Sequence, residues 1–331
     1  MSDWDARLLV TGGSGFIGSH LVDRLMRKHK KVTVLDNLSA GSIDNIAEWS
    51  EHPNFTLIKG DCLNREDLRK ALENCGLVFH LAANPEVRVG AVDTDIDFEQ
   101  NIVATRNVIE EMYRNETANT IVFTSTSTVY GDAKTLPTAE EYGTLEPISL
   151  YGASKLACEA LISAYCHMFN LRGVLYRFAN IVGARSRHGV IWDFIHKLLE
   201  TPRELEILGD GTQAKSYLLV DDCVDALLLG LEHTSKKIEI FNIGSEDQIS
   251  VKDIAKIVAQ EMGLVDVGFH YTGGVCGGRG WIGDVKTMFV DISKIKQLGW
   301  KPRSNSAEAV RKATKQILQG LNFKKESLHS S

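Results

Sequence analysis

A short apolar run near the amino end of the chain leads into three glycines and then a helix-like segment. The run is 7–11, the glycines are Gly12, Gly15 and Gly18, and the segment is 20–25. A strand that ends in a tight glycine turn and opens directly into a helix points unpaired backbone N–H groups and the positive end of the helix dipole at one place, where a pyrophosphate can bind. Glycine also lets the backbone approach a ligand closely. The pattern predicts a dinucleotide-binding βαβ unit.

The second predicted strand, 32–36, ends in the carboxylate of Asp36. In a dinucleotide fold, an acid at this place accepts hydrogen bonds from the adenosine ribose hydroxyls. A 2′-phosphate would meet this carboxylate directly, so NAD is favoured over NADP as the cofactor. A glycine triplet alone is also compatible with an ordinary turn, and the strand, helix and acid around it are what favour phosphate binding.

Apolar, β-branched runs recur through the first 180 residues, with helix-length amphipathic stretches between them, at 32–35, 55–58, 77–81, 120–124 and 173–178. This alternation predicts an α/β fold with a parallel, doubly wound sheet. Because the runs are continuously apolar, the strands are expected to be covered on both faces. After Asn180 the spacing changes, with a predicted helix at 190–199 and then smaller elements.

The change of spacing predicts two parts that are interleaved in sequence. We expect an NAD-binding domain over 1–180 to which segments near 216–245 return, a smaller C-terminal substrate lobe over 181–320, and a frayed polar tail at 321–331.

Composition excludes several classes of partner. The net charge of −6 leaves no general basic field, so nucleic acid is not expected as a partner. The first residues lack a signal-peptide pattern and no apolar run approaches the roughly 20 residues of a membrane span, which predicts a cytoplasmic protein without a membrane partner. The six cysteines and ten histidines are dispersed, so the cysteines are expected to be reduced and no metal site is predicted.

Tyr151 and Lys155 stand four residues apart at the start of a predicted helix, so their side chains share one face. A neighbouring ammonium favours the phenolate, and a bound nicotinamide cation would add to the effect, so we expect the pKa of the tyrosine to be drawn from about 10 toward neutrality. A base in that range removes a proton from an alcohol efficiently. The same spacing also occurs in plain surface pairs, and the spacing alone leaves that alternative open.

A hydroxyl-rich segment, 124–128, follows the predicted strand at 120–124, at the end of the strand where open α/β sheets bind ligands. One of its hydroxyls could bond the same substrate oxygen as the tyrosine. For Ser125, Ser127 and Thr128, local backbone hydrogen bonding is the alternative.

Together these motifs make the chain resemble the extended short-chain dehydrogenase/reductase family, and within it the NAD-dependent nucleotide-sugar epimerases and dehydratases, most closely the UDP-glucose 4-epimerase type. The resemblance implies a Rossmann-type fold and covers almost the whole chain in order. The matching residues are Gly12, Gly15 and Gly18, Asp36-Asn37-Leu38-Ser39, Gly60-Asp61, His80-Leu81-Ala82-Ala83, 124–131, Tyr151 and Lys155, Arg177-Phe178-Ala179-Asn180, 217–222, 241–244, Asp291, Ser293-Lys294 and 298–302.

The resemblance also implies which residues form the site. NAD would be held by Gly12, Gly15, Phe16, Ile17, Asp36, Asn37, Ser39, Asp61, Cys62, Leu81, Ala82, Ala83, Asn101, Thr124, Tyr151, Lys155 and Phe178. The catalytic residues would be Thr126, Tyr151 and Lys155. A sugar nucleotide, UDP-linked in the type that the chain resembles most, would contact Arg88, Thr126, Asn180, Arg185, Val190, Lys215, Arg279, Asp284 and Met288.

Two of these positions depart from the family pattern. Lys215 stands where the family usually has an arginine at the nucleotide, and a point charge cannot reproduce a bidentate clamp. Arg279 lies slightly upstream of the second expected arginine. Met288 falls where the family admits or excludes an N-acetyl group, and its middling size predicts that a hexose is accepted and its N-acetylated form is turned over more slowly.

The residues after Thr126 bear on the reaction. Dehydratases and sugar-acid decarboxylases of the family commonly carry Asp or Glu there, whereas this chain has Ser127 and Thr128. The resemblance therefore implies epimerisation at C4 through a transient 4-keto sugar that turns over about its diphosphate linkage, with NAD held tightly. Arg88, Arg185 and Arg187 add positive charge at the expected sugar end, which leaves UDP-glucuronate open as the substrate. The alternative is that these arginines bind phosphate or lie on the surface.

Two other functions stay open: an NAD-linked reductase of a keto sugar nucleotide, and a non-catalytic NAD sensor, which the intact catalytic residues disfavour.

The predicted helices 93–114 and 150–169 carry apolar residues around more of their circumference than one packed face needs. Family resemblance implies that this pair forms a four-helix seam with a second copy, so a homodimer is expected.

Overall fold

The computed structural model describes residues 6–115 and 117–329, with side chains as far as residue 321. The strands are β1 (Arg7–Thr11), β2 (Val32–Asp36), β3 (Phe55–Lys59), β4 (Cys75–His80), β5 (Thr120–Thr126), β6 (Arg172–Phe178), β7 (Asn180–Val182), β8 (Glu204–Ile207), β9 (Ala214–Lys215), β10 (Tyr217–Leu219), β11 (Ile238–Ile243), β12 (Ile249–Ser250), β13 (Gly268–Tyr271) and β14 (Thr287–Met288). The α-helices are α1 (Phe16–Arg27), α2 (Arg65–Ala71), α3 (Asp95–Asp97), α4 (Ala104–Asn115), α5 (Leu150–Phe169), α6 (Val190–Glu200), α7 (Val220–Glu232), α8 (Val251–Glu261), α9 (Ser293–Lys296) and α10 (Ser306–His329).

The chain forms two compact units. Unit 1 comprises Met1–Val129, Leu150–Arg177 and Val224–Phe241. Its seven-stranded sheet has the order β11-β6-β5-β4-β1-β2-β3, and β1 pairs in parallel with both β2 and β4. The chain therefore winds outward from β1 in one direction and returns to continue in the other, which confirms the predicted doubly wound α/β fold.

Burial across this sheet follows the apolar runs. All residues of β2, β4 and β5 are buried, as expected for strands covered on both faces. The predicted strand at 55–58 differs, because β3 pairs only with β2 at the edge of the sheet and leaves Thr56 and Lys59 exposed. Strand β3 is thus as apolar as the buried strands but is less covered, because it has a neighbouring strand on one side only.

Unit 2 comprises Tyr130–Ser149, Phe178–Cys223 and Asn242–Ser331. It contains three small sheets, with the orders β10-β7, β12-β9-β14 and β13-β8. One buried cluster joins α6, α8 and α10 through residues such as Ile195, Val258 and Ala313. The helix predicted at 190–199 is confirmed by α6.

The extents of the two units differ from the predicted domain ranges in several places. The segment that returns to unit 1 is Val224–Phe241, which is shorter than the predicted 216–245, and unit 2 already begins again at Phe178. The segment Tyr130–Ser149 belongs to unit 2, although it lies inside the predicted 1–180 domain. The predicted polar tail at 321–331 continues α10 as far as His329, and its last two residues lie outside the described residues. Val310, Ala313 and Ile317 bury one face of α10, and this anchored face lets the helix propagate into a polar segment that would fray alone.

The helix predicted at 93–114 begins with α3 and ends with α4, and a single π-helical stretch, Phe98–Val103, joins the two. Such π turns interrupt the regular hydrogen-bond ladder and occur frequently at functional sites. The helix predicted at 150–169 is α5.

Candidate functional site

The glycines of the first turn are required by close backbone contacts. Gly12 has a φ of 69°, and a Cβ atom there would lie 2.8 Å from the backbone nitrogen of Ala82. A Cβ atom on Gly18 would lie 2.1 Å from the carbonyl oxygen of Gly12. A side chain at either position would push the turn away from β4 or from α1, so the turn depends on both glycines.

The N-terminus of α1 faces this turn and suits an anion. Gly15 is the N-cap residue, and it has no side chain that could cap the first turn of the helix. The N–H groups of Phe16 and Ile17 are therefore available together with the positive end of the helix dipole. This is the arrangement that a pyrophosphate requires.

Asp36 is oriented by the backbone on both sides. Its Oδ2 accepts the N–H of Ser14 at 2.9 Å, and its Oδ1 accepts the N–H of Leu38 at 2.8 Å. Each oxygen keeps a second lone pair, so the carboxylate can still accept two ribose hydroxyls. Asn37 donates to Asp61 at 2.9 Å, which ties the two acidic loops together. The cofactor residues predicted here thus lie at the end of β2 or in the loops after β2 and β3; they are Asp36, Asn37, Ser39, Asp61 and Cys62.

A buried hydrogen-bonded chain supports the backbone that faces Gly12. The N–H of Ala82 donates to Oγ1 of Thr11 at 3.2 Å, and this hydroxyl lies 2.7 Å from Nδ1 of His80. Nε2 of His80 lies 3.0 Å from Oγ1 of Thr105. Burial, aided by the nearby Lys155 ammonium, lowers the pKa of His80 to about 3, so the imidazole stays neutral. His80 belongs to a motif quoted above, but no role was predicted for it.

Tyr151 and Lys155 lie in the first turns of α5. Nζ of Lys155 donates to the carbonyl oxygen of Thr124 at 3.0 Å and lies 5.9 Å from the centroid of the Tyr151 ring. Lys155 is thus fixed at the carboxyl end of β5, next to the predicted catalytic Thr126. The three predicted catalytic residues are all in unit 1.

The electrostatics of this pair correct one expectation. Burial lowers the pKa of Lys155 from its ordinary 10.5 to about 8. Burial, and then the nearby carboxyl group of Asp97, raise the pKa of Tyr151 above that of a free tyrosine. The predicted shift toward neutrality included a bound nicotinamide cation as well as the ammonium. In the chain by itself the pKa shifts the other way, because desolvation of the phenolate outweighs the ammonium.

Thr126 is the last residue of β5, and its hydroxyl oxygen accepts hydrogen bonds from Thr128. Its Oγ1 accepts both the N–H and the Oγ1–H of Thr128, each at 3.2 Å. The proton of Thr126 is then available to donate to another oxygen. Ser125 differs from the local bonding considered above, because it donates to the carboxylate of Glu159, which forms a buried ion pair with Arg177.

Asn101 lies in the π-helical stretch and contacts α5. Its Nδ2 donates to Oγ of Ser154 at 2.8 Å and to Oδ1 of Asp97 at 3.2 Å, while its Oδ1 accepts the N–H of Asn84. Sequence reasoning missed Asp97. Its spacing of four residues from Asn101 in a predicted helix is the signal that could have found it.

In unit 2, three predicted substrate residues lie together. Nζ of Lys215 donates to Oδ1 of Asp284 at 2.6 Å, and the N–H of Gly280 donates to Oδ2 of the same carboxylate at 3.1 Å. Met288 is buried and pairs with Lys215 in the register of β14 and β9. Nζ of Lys215 also lies 5.6 Å from the centroid of a Trp281 ring.

Arg279 is engaged by a residue that sequence reasoning missed. Its two terminal nitrogens donate to the carboxylate of Asp132 at 3.0 and 2.8 Å, and its Nε donates to the carbonyl of Cys276 at 3.1 Å. The guanidinium therefore ties the loop 273–283, which contains Arg279, to the segment after β5 within unit 2. A diphosphate would have to replace Asp132 to bind this arginine.

The remaining predicted residues lie in different parts of the chain. Arg88 pairs with Glu86 at 3.0 Å in unit 1. Asn180 donates from its backbone to the carbonyl of Ser216 at 3.1 Å, Val190 begins α6, and Arg185 has a φ of 65°. Unit 1 holds every predicted cofactor residue except Phe178, whereas unit 2 holds Phe178 and the predicted substrate residues Asn180, Arg185, Val190, Lys215, Arg279, Asp284 and Met288.

Within the described residues, no helix is long and apolar enough to cross a membrane. No group of three or more His, Cys, Asp or Glu side chains in that part of the chain could hold a metal ion.

Comparison with known proteins agrees with this geometry. The family model of the NAD dependent epimerase/dehydratase family matches residues 8–244. A putative UDP-glucose 4-epimerase of Methanocaldococcus jannaschii is 31% identical over 92% of this chain and 96% of its own. A solved UDP-galactose 4-epimerase is 41% identical, with a TM-score of 0.84 over 95% of this chain and 99% of its own. The Bacillus cereus UDP-glucuronic acid 4-epimerase, solved with UDP-glucuronic acid and NAD, is 30% identical with a TM-score of 0.85 over the same shares of the two chains.

Proposed function

The chain belongs to the NAD dependent epimerase/dehydratase family and has NAD as its cofactor, and we propose that it epimerises C4 of a UDP-linked hexose of the glucose/galactose type. The observation that carries this proposal is the arrangement of Thr126, Tyr151 and Lys155 at the carboxyl end of β5. Ser127 and Thr128 stand where a dehydratase would carry acids, which supports epimerisation. The likeness to a solved UDP-galactose 4-epimerase supports the same choice of sugar.

The first turn and the loop after β2 fit NAD. Gly12 and Gly15 leave room for the pyrophosphate, the first N–H groups of α1 face it, and Asp36 keeps two lone pairs for the ribose. We propose that these residues retain the cofactor tightly through each cycle. When bound, NAD supplies the acceptor for the C4 hydride and afterwards its donor.

The catalytic side chains would manage the proton. Tyr151 would take the proton of the C4 hydroxyl, and Thr126 would donate a hydrogen bond to the same oxygen. The 4-keto sugar would then turn about its diphosphate linkage, and Tyr151 would return the proton. Lys155, fixed on the Thr124 carbonyl, holds positive charge near the phenol while this happens.

The test is incubation of the purified protein with UDP-glucose or UDP-galactose, without added NAD, followed by separation of the C4 epimers. We expect interconversion with no accumulation of NADH. Tyr151→Phe is the control variant, and loss of the general base should lower kcat by about 10²- to 10⁴-fold while the protein keeps its bound NAD. Turnover that requires a continuous supply of NADH would instead identify a reductase and contradict the proposal.

UDP-glucuronate 4-epimerisation is the second candidate, favoured by the likeness to the Bacillus cereus enzyme and by Arg185. If Arg185 binds a carboxylate, the charge-assisted hydrogen bond should favour the uronate by about 2 kcal/mol. Comparison of kcat/KM for UDP-glucose and UDP-glucuronate in the native protein and in Arg185→Ala decides between them. Equal losses on both sugars would show that Arg185 has no part in sugar choice.

We also propose a homodimer formed through α4 and α5. Unit 1 exposes large apolar side chains on or beside these helices, among them Tyr113, Leu150 and Met168, of which Met168 is 72% exposed. A second copy would cover them. Light scattering should give twice the 36.6 kDa of one chain, and the mass of a single chain at micromolar concentration would contradict the proposal.

The six free cysteines suit the cytoplasm, where we propose that the protein works.

A further inference from the structure

A buried carboxyl group lies in unit 1 beside the catalytic helix. Asp97 is only 1% exposed, and its Oδ1 accepts Nδ2 of Asn84 at 3.0 Å and Nδ2 of Asn101 at 3.2 Å. Its Oδ2 is buried as well, and it has no hydrogen-bond partner among the described residues. A buried carboxylate oxygen without a donor destabilises a fold, so packing alone does not account for this group.

The unpartnered oxygen lies against Gly90, in the short turn Val89–Ala91 that packs beside the first residue of α5. A Cβ atom built on Gly90 would be 2.5 Å from Oδ2 of Asp97 and 3.5 Å from Cβ of Leu150. Leu150 is the first residue of α5 and directly precedes Tyr151. The Gly90 position therefore leaves space for the carboxylate next to the turn that carries the catalytic pair.

Several charged or titratable groups interact with this site. Burial raises the pKa of Asp97 above its ordinary value, and Asp93 adds to that rise. The amides of Asn84 and Asn101 and the Lys155 ammonium on α5 oppose it and favour the charged form. Tyr151 is affected by Asp97 and by Cys158 of α5, while Lys155 is also affected by Cys158 and Glu159. His80 of β4 interacts with Lys155 as a neutral ring. Asp97 is the nearby carboxylate that acts on both members of the catalytic pair.

We propose that Asp97 is a positioning residue that supplies the buried counter-charge of the catalytic pair, keeping the Lys155 ammonium charged and Tyr151 a phenol. The inference rests on the proposed function, in which Tyr151 must act as a base in one half of the cycle and as an acid in the other. A fixed negative charge beside Tyr151 disfavours the phenolate, so the side chain does not remain ionised when the Lys155 ammonium is the only positive charge nearby. The same charge offsets part of the desolvation of Lys155.

The experiment measures the ionisation of Lys155 directly, without turnover. The ε-carbon signal of Lys155 is followed by NMR against pH in the purified, NAD-loaded protein, and Lys155→Met identifies the signal. Asp97→Asn removes the charge but keeps an oxygen that accepts the two amides. We expect the pKa of Lys155 to fall by about one unit, the size of effect that a nearby buried charge produces. Asp95→Asn is the matched control, because it removes an exposed carboxylate from the same helix and should leave the signal unchanged.

An unchanged Lys155 titration in a folded Asp97→Asn protein would overturn the inference. An equal shift in Asp95→Asn would do so too, because it would show a general effect of charge. Asp97→Ser is the second variant, and failure of both Asp97 variants to fold would make Asp97 a residue of the fold and likewise refute the proposal. The titration does not depend on epimerase activity, so a shifted pKa in a protein without that activity would support the role of Asp97 while refuting the proposed reaction.

Discussion

Replacing Lys155 by methionine should remove a pH-dependent part of the free energy of unfolding. Relative to the native protein, the variant should therefore be more stable below pH 8 than it is at high pH. Lys155 is buried, and its pKa falls from an ordinary 10.5 to about 8. Between these two pH values the unfolded chain carries a proton that the folded chain has lost, so the free energy of unfolding of the native protein rises with pH across this window. At about 1.4 kcal/mol per pKa unit, the rise that Lys155 contributes is about 3 kcal/mol. Lys155→Met lacks this contribution.

The assay is urea unfolding of both proteins at pH 7 and at pH 10, without cofactor, since bound NAD would add its own stabilisation. The difference in unfolding free energy between native protein and variant should change by about 2–3 kcal/mol between the two pH values, in favour of the native protein at pH 10. Loss of the hydrogen bond to the Thr124 carbonyl adds an offset that is the same at both. A difference that does not vary with pH would refute the argument, because Lys155 would then have an ordinary pKa in the fold.

Three further outcomes are expected. Gly18→Ala should lose bound NAD, because its Cβ would lie 2.1 Å from a backbone carbonyl oxygen. Gly320→Ala is the control and should keep NAD, because its Cβ would meet nothing within 4 Å; the NAD content after purification is measured for both variants. Arg177→Met should lower the free energy of unfolding by about 3–5 kcal/mol, because it leaves the buried carboxylate of Glu159 without its ion pair. Adding Glu159→Gln should restore part of that stability in urea unfolding, and no recovery would contradict the prediction. Asp36→Asn should reduce the preference for NAD over NADP in binding titrations, and an unchanged ratio would show that the carboxylate does not select the cofactor.

The sheet could be predicted because its strands are short apolar runs between helices, a pattern that depends on local sequence. The edge position of β3 could not, since which strands become neighbours depends on how the whole chain winds. Strand β11 was not singled out because its first residues alternate between buried and partly buried. The π-helical stretch also has no local signature, because its neighbouring residues are ordinary helix formers.

The candidate site divides in the same way. The glycine turn and the acid of Asp36 follow directly from spacing along the chain. Asp132 was missed because its contact with Arg279 joins residues 147 positions apart. The raised pKa of Tyr151 in the chain by itself could not be predicted, because spacing identifies Lys155 as a neighbour but does not measure how far both groups are withdrawn from water.

The order in which the two units alternate along the chain has a consequence for synthesis on the ribosome. The strand that covers β6, β11, begins at Ile238 and is translated more than 50 residues after β6 ends. Until then β6, an almost wholly buried apolar strand, is the open edge of a nascent sheet. A fragment ending near residue 180 would keep that edge permanently, so it should aggregate when it is expressed alone, even though it contains the whole glycine turn and the catalytic pair.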